Sequence, residues 1–162
     1  MSLCPACGNE ATSPQGRKNS KYLLVFSKPY PMAAVRSYKD SVTGLDVLRK
    51  ELARVGLQLS EFRMAYLNMH ESKDENCYYA GRDTILDEAK GREAVILVGS
   101  EVTEEFCGVS AQDTAGLQVD SMSFSAPLVV VLPKPESVFV RGSGIGEFRL
   151  AVQKLGRKIY HE

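Results

Sequence analysis

The chain has 162 residues, 44% of them hydrophobic and 25% charged. These are globular proportions, enough for one domain with a buried core, and they exclude wholesale disorder. Twenty Lys and Arg balance twenty Asp and Glu, which argues against a histone-like polycation that holds DNA by net charge alone.

No apolar run reaches the roughly 18–20 residues that span a bilayer. The opening MSLCPACGNE has neither the basic nor the apolar region of a secretory signal. A cytoplasmic protein with no membrane partner is therefore expected. In that setting four cysteines suggest metal or free thiols before disulfides. The zero net charge hides a pattern. Residues 1–67 carry ten basic and five acidic residues, 68–113 four and eleven, and 134–162 six and three. If the two basic segments share a face, that face suits a phosphate backbone. A mixed, soluble surface is the other reading.

Residues 1–20 are rich in Pro, Gly, Ser and Asn and read as a cysteine-bearing loop or knuckle. Lys21–Phe26 (KYLLVF) has the apolar run of a buried strand, and Lys-Pro-Tyr-Pro stops it. Over 42–55, Leu45, Leu48, Leu52 and Val55 share one helical face. Ser41 or Thr43 suits its N-cap, and Gly56 suits its left-handed end. Phe62–Leu67 is a second strand, and residues 68–80 read as polar and irregular. A short helix is predicted over Thr84–Lys90, capped by Asp83. Ala94–Val98 is a third strand. Gly99-Ser100 then opens a helix over Glu101–Phe106, with acids where the helix dipole favours them. Residues 108–126 read as loop, Leu128–Leu132 as a fourth strand, and 145–159 as a last amphipathic helix.

Short, wholly apolar strands alternating with helices predict an α/β fold. The expected form is a three-layer α/β/α sandwich around a central, mostly parallel four-stranded sheet. Residues 1–20 form the knuckle and 21–162 the α/β domain, together one structural unit. Ligands of such sheets bind beyond the carboxyl ends of the strands. The residues there are Ser27-Lys28-Pro29-Tyr30, Asn68-Met69-His70, Gly99-Ser100 and Pro133-Lys134-Pro135-Glu136.

Those segments carry a resemblance. Cys4-Pro5-Ala6-Cys7, Val25 through Tyr30, Gly44 through Leu48, Tyr66 through His70, Ile96 through Gly99, and Lys134 through Arg141 follow one order. In order and spacing they resemble the motifs of the uracil-DNA glycosylase superfamily, in its iron–sulfur type (family 4), over roughly residues 4–158. The resemblance implies a uracil-DNA glycosylase-like fold that binds DNA, single- or double-stranded, with Asn68 and Tyr30 at a flipped base. It also implies departures. The acidic residue that positions water in the family falls on Ser27, which cannot act as a carboxylate base. Two motif glycines become Phe26 and Tyr30, bulky where a nucleotide backbone approaches. The family's histidine becomes Lys134, which supplies positive charge in another geometry. Ser27 and Lys134 are thus degenerate catalytic positions. After Lys134, the family's minor-groove wedge would be Val138, Phe139 and Val140, with Ser137 and Arg141 on phosphates. The same residues also read as the end of an edge strand. Gly142 through Gly146 reads as a turn before the last helix, because it lacks the Lys-Ser/Thr of a P-loop.

Cys4 and Cys7 have metal-ligand spacing, and the adjoining proline and glycine suit a tight knuckle. Cys77 and Cys107 would complete a four-cysteine site, with His70 as the alternative to Cys107. Resemblance implies a [4Fe–4S] cluster. The Cys-Pro-x-Cys-Gly pattern alone suggests zinc.

Three functions follow as expectations. The first is a glycosylase-like DNA-binding protein of repair or replication with reduced or lost activity. The second is an active divergent glycosylase that hydrolyses the N-glycosidic bond of a flipped uracil. The third is a protein–protein scaffold with a zinc knuckle, bound to a replication or repair partner.

Overall fold

Tyr22–Phe26 (β4), Ala94–Val98 (β6) and Leu128–Leu132 (β7) are too apolar to leave either face in water, and Arg63–Tyr66 (β5) is buried but for the half-buried Met64. They lie side by side as parallel strands in one sheet. The structure is a computed structural model that describes residues 2–29, 44–139 and 144–160. A short strand, Gln15–Gly16 (β3), adds to β5 in the antiparallel sense, so the sheet has five strands in the order β3-β5-β4-β6-β7. The expectation of four omitted β3, which is only two residues long.

Side chains alternate across each strand. Leu24, Phe26, Ile96, Val98, Val130 and Leu132 face one side. There they meet Val47, Leu48 and Leu52 of α1 (Gly44–Arg54) and Phe148, Val152 and Leu155 of α5 (Gly144–Tyr160). Leu23, Val25, Val95, Leu97 and Val129 face the other side. They pack on Ile85 and Ala89 of α2 (Glu75–Ala89) and on Val102 and Phe106 of α3 (Ser100–Cys107). Helices therefore cover both faces of a mostly parallel sheet.

Three local readings are corrected. Residues 68–80 are not wholly irregular, because α2 starts at Glu75, and its cap is Asp74, whose carboxylate accepts the Asn76 N–H. Within 108–126, Ala111–Thr114 forms a one-turn helix, α4. The segment after Lys134 is not an edge strand: Pro135–Phe139 winds as a 3-10 turn, and Val138 packs against the main core. The proposed N-caps Ser41 and Thr43 lie outside the described residues. Gly56 has φ 83°, the left-handed end expected of α1.

Strand order sets where a ligand can enter. The chain runs from β4 outward to β5 on one side, then returns to β6 and β7 on the other. In sheets of this kind such a reversal forms the ligand crevice, which here falls beyond the carboxyl ends of β4 and β6.

Candidate functional site

Two clusters of chemistry-bearing residues flank the loop that follows β5. The first is built on the knuckle. Ser2–Leu3 (β1) pairs with Glu10–Ala11 (β2), and the chain between them turns through Cys4 and Cys7. The Gly8 N–H donates to the Cys4 carbonyl, and the Cys4 N–H donates to the Asn9 carbonyl, both at 2.8 Å. Gly8 has φ 78°, which glycine adopts without steric cost. Cys77 arrives from the first turn of α2, and His70 from the loop after β5. The Cys4, Cys7 and Cys77 sulfurs and a His70 ring nitrogen all lie within 4.8 Å of one another.

Local chemistry prepares these groups to ligate. The Cys7 sulfur stands 3.5 Å from His70 Nε2. His70 Nδ1 lies 3.0 Å from the Glu71 carbonyl. A carbonyl only accepts, so Nδ1 carries the proton in the neutral ring and Nε2 turns its lone pair to the sulfurs. Burial pushes the Cys4 thiol up. The backbone N–H groups of Ala6 and Cys7, with His70 and Cys7 side chains, outweigh that and bring it down to about 6. For Cys77, the Ser72 hydroxyl lowers the thiol, but burial and the neighbouring Cys7 and Cys4 sulfurs leave it raised. His70 is raised by its contact with Cys4 and, less, by the Glu71 carbonyl. This is a site that could bind a metal ion.

Cys107 is not part of it, which corrects the four-cysteine expectation. It sits near the end of α3 and packs against the second core face. Burial pushes its thiol up, against a smaller lowering by the Ser121 hydroxyl. His70, the alternative ligand, takes the fourth place.

The second cluster lies in the crevice. Ser27 follows β4, Asn68 follows β5, and Glu101 stands in the first turn of α3, which follows β6. Ser27 Oγ donates to Glu101 Oε2 at 2.5 Å. Asn68 Nδ2 donates to the Ser27 carbonyl at 3.0 Å and to Glu101 Oε1 at 2.9 Å. Ser27 and Asn68 are partly buried and Glu101 is exposed, so the group is reachable. The resemblance left the water-positioning place, Ser27, without a carboxylate. The fold supplies one from a neighbouring strand end, which only the strand order could reveal. Lys134, after β7, lies beside the Gly99 turn and is mostly exposed, with Glu136 3.9 Å from its ammonium.

The other named residues distribute unevenly. Ser137 and Val138 lie on the 3-10 turn, Val138 with its side chain against the core. Phe139 ends that turn, and its side chain is outside the described set. Tyr30, Val140 and Arg141 lie outside the described residues. A cavity of about 490 Å³, lined by Arg17, Tyr22 and Glu61 among others, opens at the amino ends of β4 and β5, away from the crevice. No helix among the described residues is long and apolar enough to cross a membrane. No protein-family model matches the chain, and no curated protein does.

Proposed function

We propose that the chain is a glycosylase-like nucleic-acid-binding module, acting in DNA repair or replication, whose knuckle is stapled by one structural zinc ion. The observation that supports the DNA reading is convergence. Ser27, Asn68 and Lys134, far apart in sequence, follow the parallel strands β4, β5 and β7 at the one edge where such sheets take ligands. Asn68, the residue matched to a base reader, borders the crevice directly. Its hydrogen-bonded neighbours make a polar floor of the kind that receives a flipped base.

Zinc is supported by the donor set and its compactness. Bonds of about 2.0–2.3 Å place the ligand atoms of a tetrahedral zinc within about 4 Å of one another. The four donors, all within 4.8 Å, fit that size. A [4Fe–4S] cluster interposes four irons and four sulfides and holds its ligands farther apart, so these residues do not fit it. Cys4, Cys7, His70 and Cys77 would hold the ion, and its chemistry would be structural.

Fluorescence anisotropy of a labelled single strand, read across a salt series, tests the function. Expected is binding that weakens as salt rises, with no base released from a uracil-containing strand. Uracil release that Asn68→Ala abolishes would instead establish the divergent enzyme. Absence of binding at low salt, together with stable association with another protein, would establish the scaffold.

A further inference from the structure

The hydrogen bonds in the crevice have a polarity, and polarity selects a ligand. The Ser27 carbonyl and the Glu101 carboxylate only accept hydrogen bonds. The Asn68 amide is therefore fixed with its nitrogen toward both. Its two N–H hydrogens are consumed, one by Glu101 and one by Ser27, whose carbonyl takes it at 3.0 Å and whose Oγ lies at 3.4 Å. Its Oδ1 is left as an acceptor. The Ser27 hydroxyl spends its one hydrogen on Glu101. Each Glu101 oxygen keeps a further lone pair after accepting from Ser27 and Asn68. Among these three side chains no donor remains, and every group still able to bond is an acceptor.

A uracil edge presents two carbonyl acceptors around one N–H. Against this floor it would set acceptor on acceptor and leave polar atoms unpaired, which is the costly case. A base that satisfies these three side chains must donate to them; the ammonium of Lys134, at the same end of the sheet, is exposed and lies 3.9 Å from Glu136. Guanine presents a ring N–H and an exocyclic amine side by side, a pair of donors that matches the two oxygens of one carboxylate. Adenine and cytosine offer an amine with an acceptor beside it, and so match in part.

Resting on the reading that a nucleobase enters this crevice, we propose that Ser27, Asn68 and Glu101 form a guanine-selective pocket, with Glu101 as the specificity-determining residue. Ser27 and Asn68 are positioning residues that aim the carboxylate across the gap between β4 and β6.

The test compares thymine-rich single strands that differ only in one central base: guanine, adenine, cytosine, thymine or uracil. Wild type is expected to bind the guanine strand roughly tenfold or more tightly than the uracil strand, the discrimination of one bidentate pair. In Glu101→Gln the ratio is expected to fall within about twofold, since a carboxamide replaces one acceptor by a donor. Ser27→Ala is expected to narrow the ratio part of the way. Thermal transition and metal content of each variant report that the fold is kept. Equal or tighter binding of the uracil strand, or a preference that survives Glu101→Gln, overturns the proposal.

Free guanosine and an arginine amide, titrated by calorimetry, separate this result from the fate of the DNA reading. If no strand binds but guanosine does, and Glu101→Gln abolishes it, the pocket stands and the DNA reading falls. If strands bind with no base preference, the DNA reading stands and the pocket falls. Binding of the arginine amide without guanosine would assign the acceptors to a protein's guanidinium and overturn the nucleobase assignment.

Discussion

Thr12 donates its backbone N–H to the Met69 carbonyl at 2.8 Å. Through this bond the cysteine hairpin grips the loop that carries Asn68 on one side of Met69 and His70 on the other. Met69 is itself buried with Cys4, Ala11 and Cys77 in a small core of their own. The metal site and the crevice thus share three consecutive residues of backbone.

Losing a ligand should therefore be felt in the crevice. His70→Ala is expected to lower affinity for an added metal ion such as zinc by at least about a hundredfold, more than the loss of an outer-shell partner usually does. It should also shift the side-chain amide signals of Asn68 in NMR spectra. Cys107→Ser should match wild type in metal content, expected at one ion per chain for both, by elemental analysis. Metal loss in the Cys107 variant alone would contradict the assigned ligand set.

Gly81 controls the same loop from below. Any side chain there would overlap the Leu67 carbonyl oxygen, because α2 passes against the end of β5 at that point. Gly81→Ala is expected to destabilise the fold by about 3 kcal/mol, the upper range for overpacking. It should also weaken metal binding, since Leu67 leads directly to Asn68 and His70. Urea unfolding with and without chelator measures both effects.

A half-buried ion network fastens β3 to the sheet. Arg63 reaches both Glu88 oxygens at 3.0 Å and donates to the Gly16 carbonyl at 3.1 Å, while Arg92 adds a bond to Glu88 at 2.9 Å. Hydrogen bonding from Arg63 is the largest influence on Glu88 and, with both positive charges, holds its carboxyl below the ordinary 4.5. The unfolded chain then takes up this proton first on acidification. The network's contribution is whole above 4.5 and is lost as pH falls through the depressed folded value. Glu88→Gln should cost about 2 kcal/mol at neutral pH and flatten the acid limb of a stability–pH curve.

Tyr66 is one of the groups that shape the alkaline limb, with Tyr78 and Tyr22, whose phenols burial also raises. Burial pushes the Tyr66 phenol up to about 12, and its hydroxyl donates to Gln15 Oε1 at 2.6 Å. The unfolded phenol ionises near 10, so the unfolded state loses the proton first and stability falls between pH 10 and 12. Tyr66→Phe is expected to cost about 1 kcal/mol at pH 7 and to lessen the fall in thermal midpoint across that interval.

Much of the sheet was legible because β4, β6 and β7 are five-residue runs with no polar interruption, and α1 and α5 repeat large apolar residues at helical spacing. The first half of α2 was not. Its buried positions, Cys77, Gly81, Ile85 and Ala89, recur every four residues, but three of the four are small, so the stripe carries little hydrophobic signal. The two-residue strands β1 to β3 are too short for any periodicity. In the site, Cys4 and Cys7 announced themselves by spacing. The choice of His70 over Cys107 depended on which loop passes the knuckle, a matter of tertiary geometry. Glu101 looked like an ordinary helix-start acid, and nothing local to it shows that β6 lies beside β4.

The four candidate metal donors all lie between Cys4 and Cys77, in the first half of the chain, while Phe148, Val152 and Leu155, which close one face of the sheet, come near its end. During synthesis the complete donor set leaves the ribosome long before the last helix exists. An ion captured at that stage would close the chain between Cys7 and His70 and hold the hairpin on the start of α2 while β7 is still unmade. Metal supply would then act on the yield of folding as well as on the finished protein.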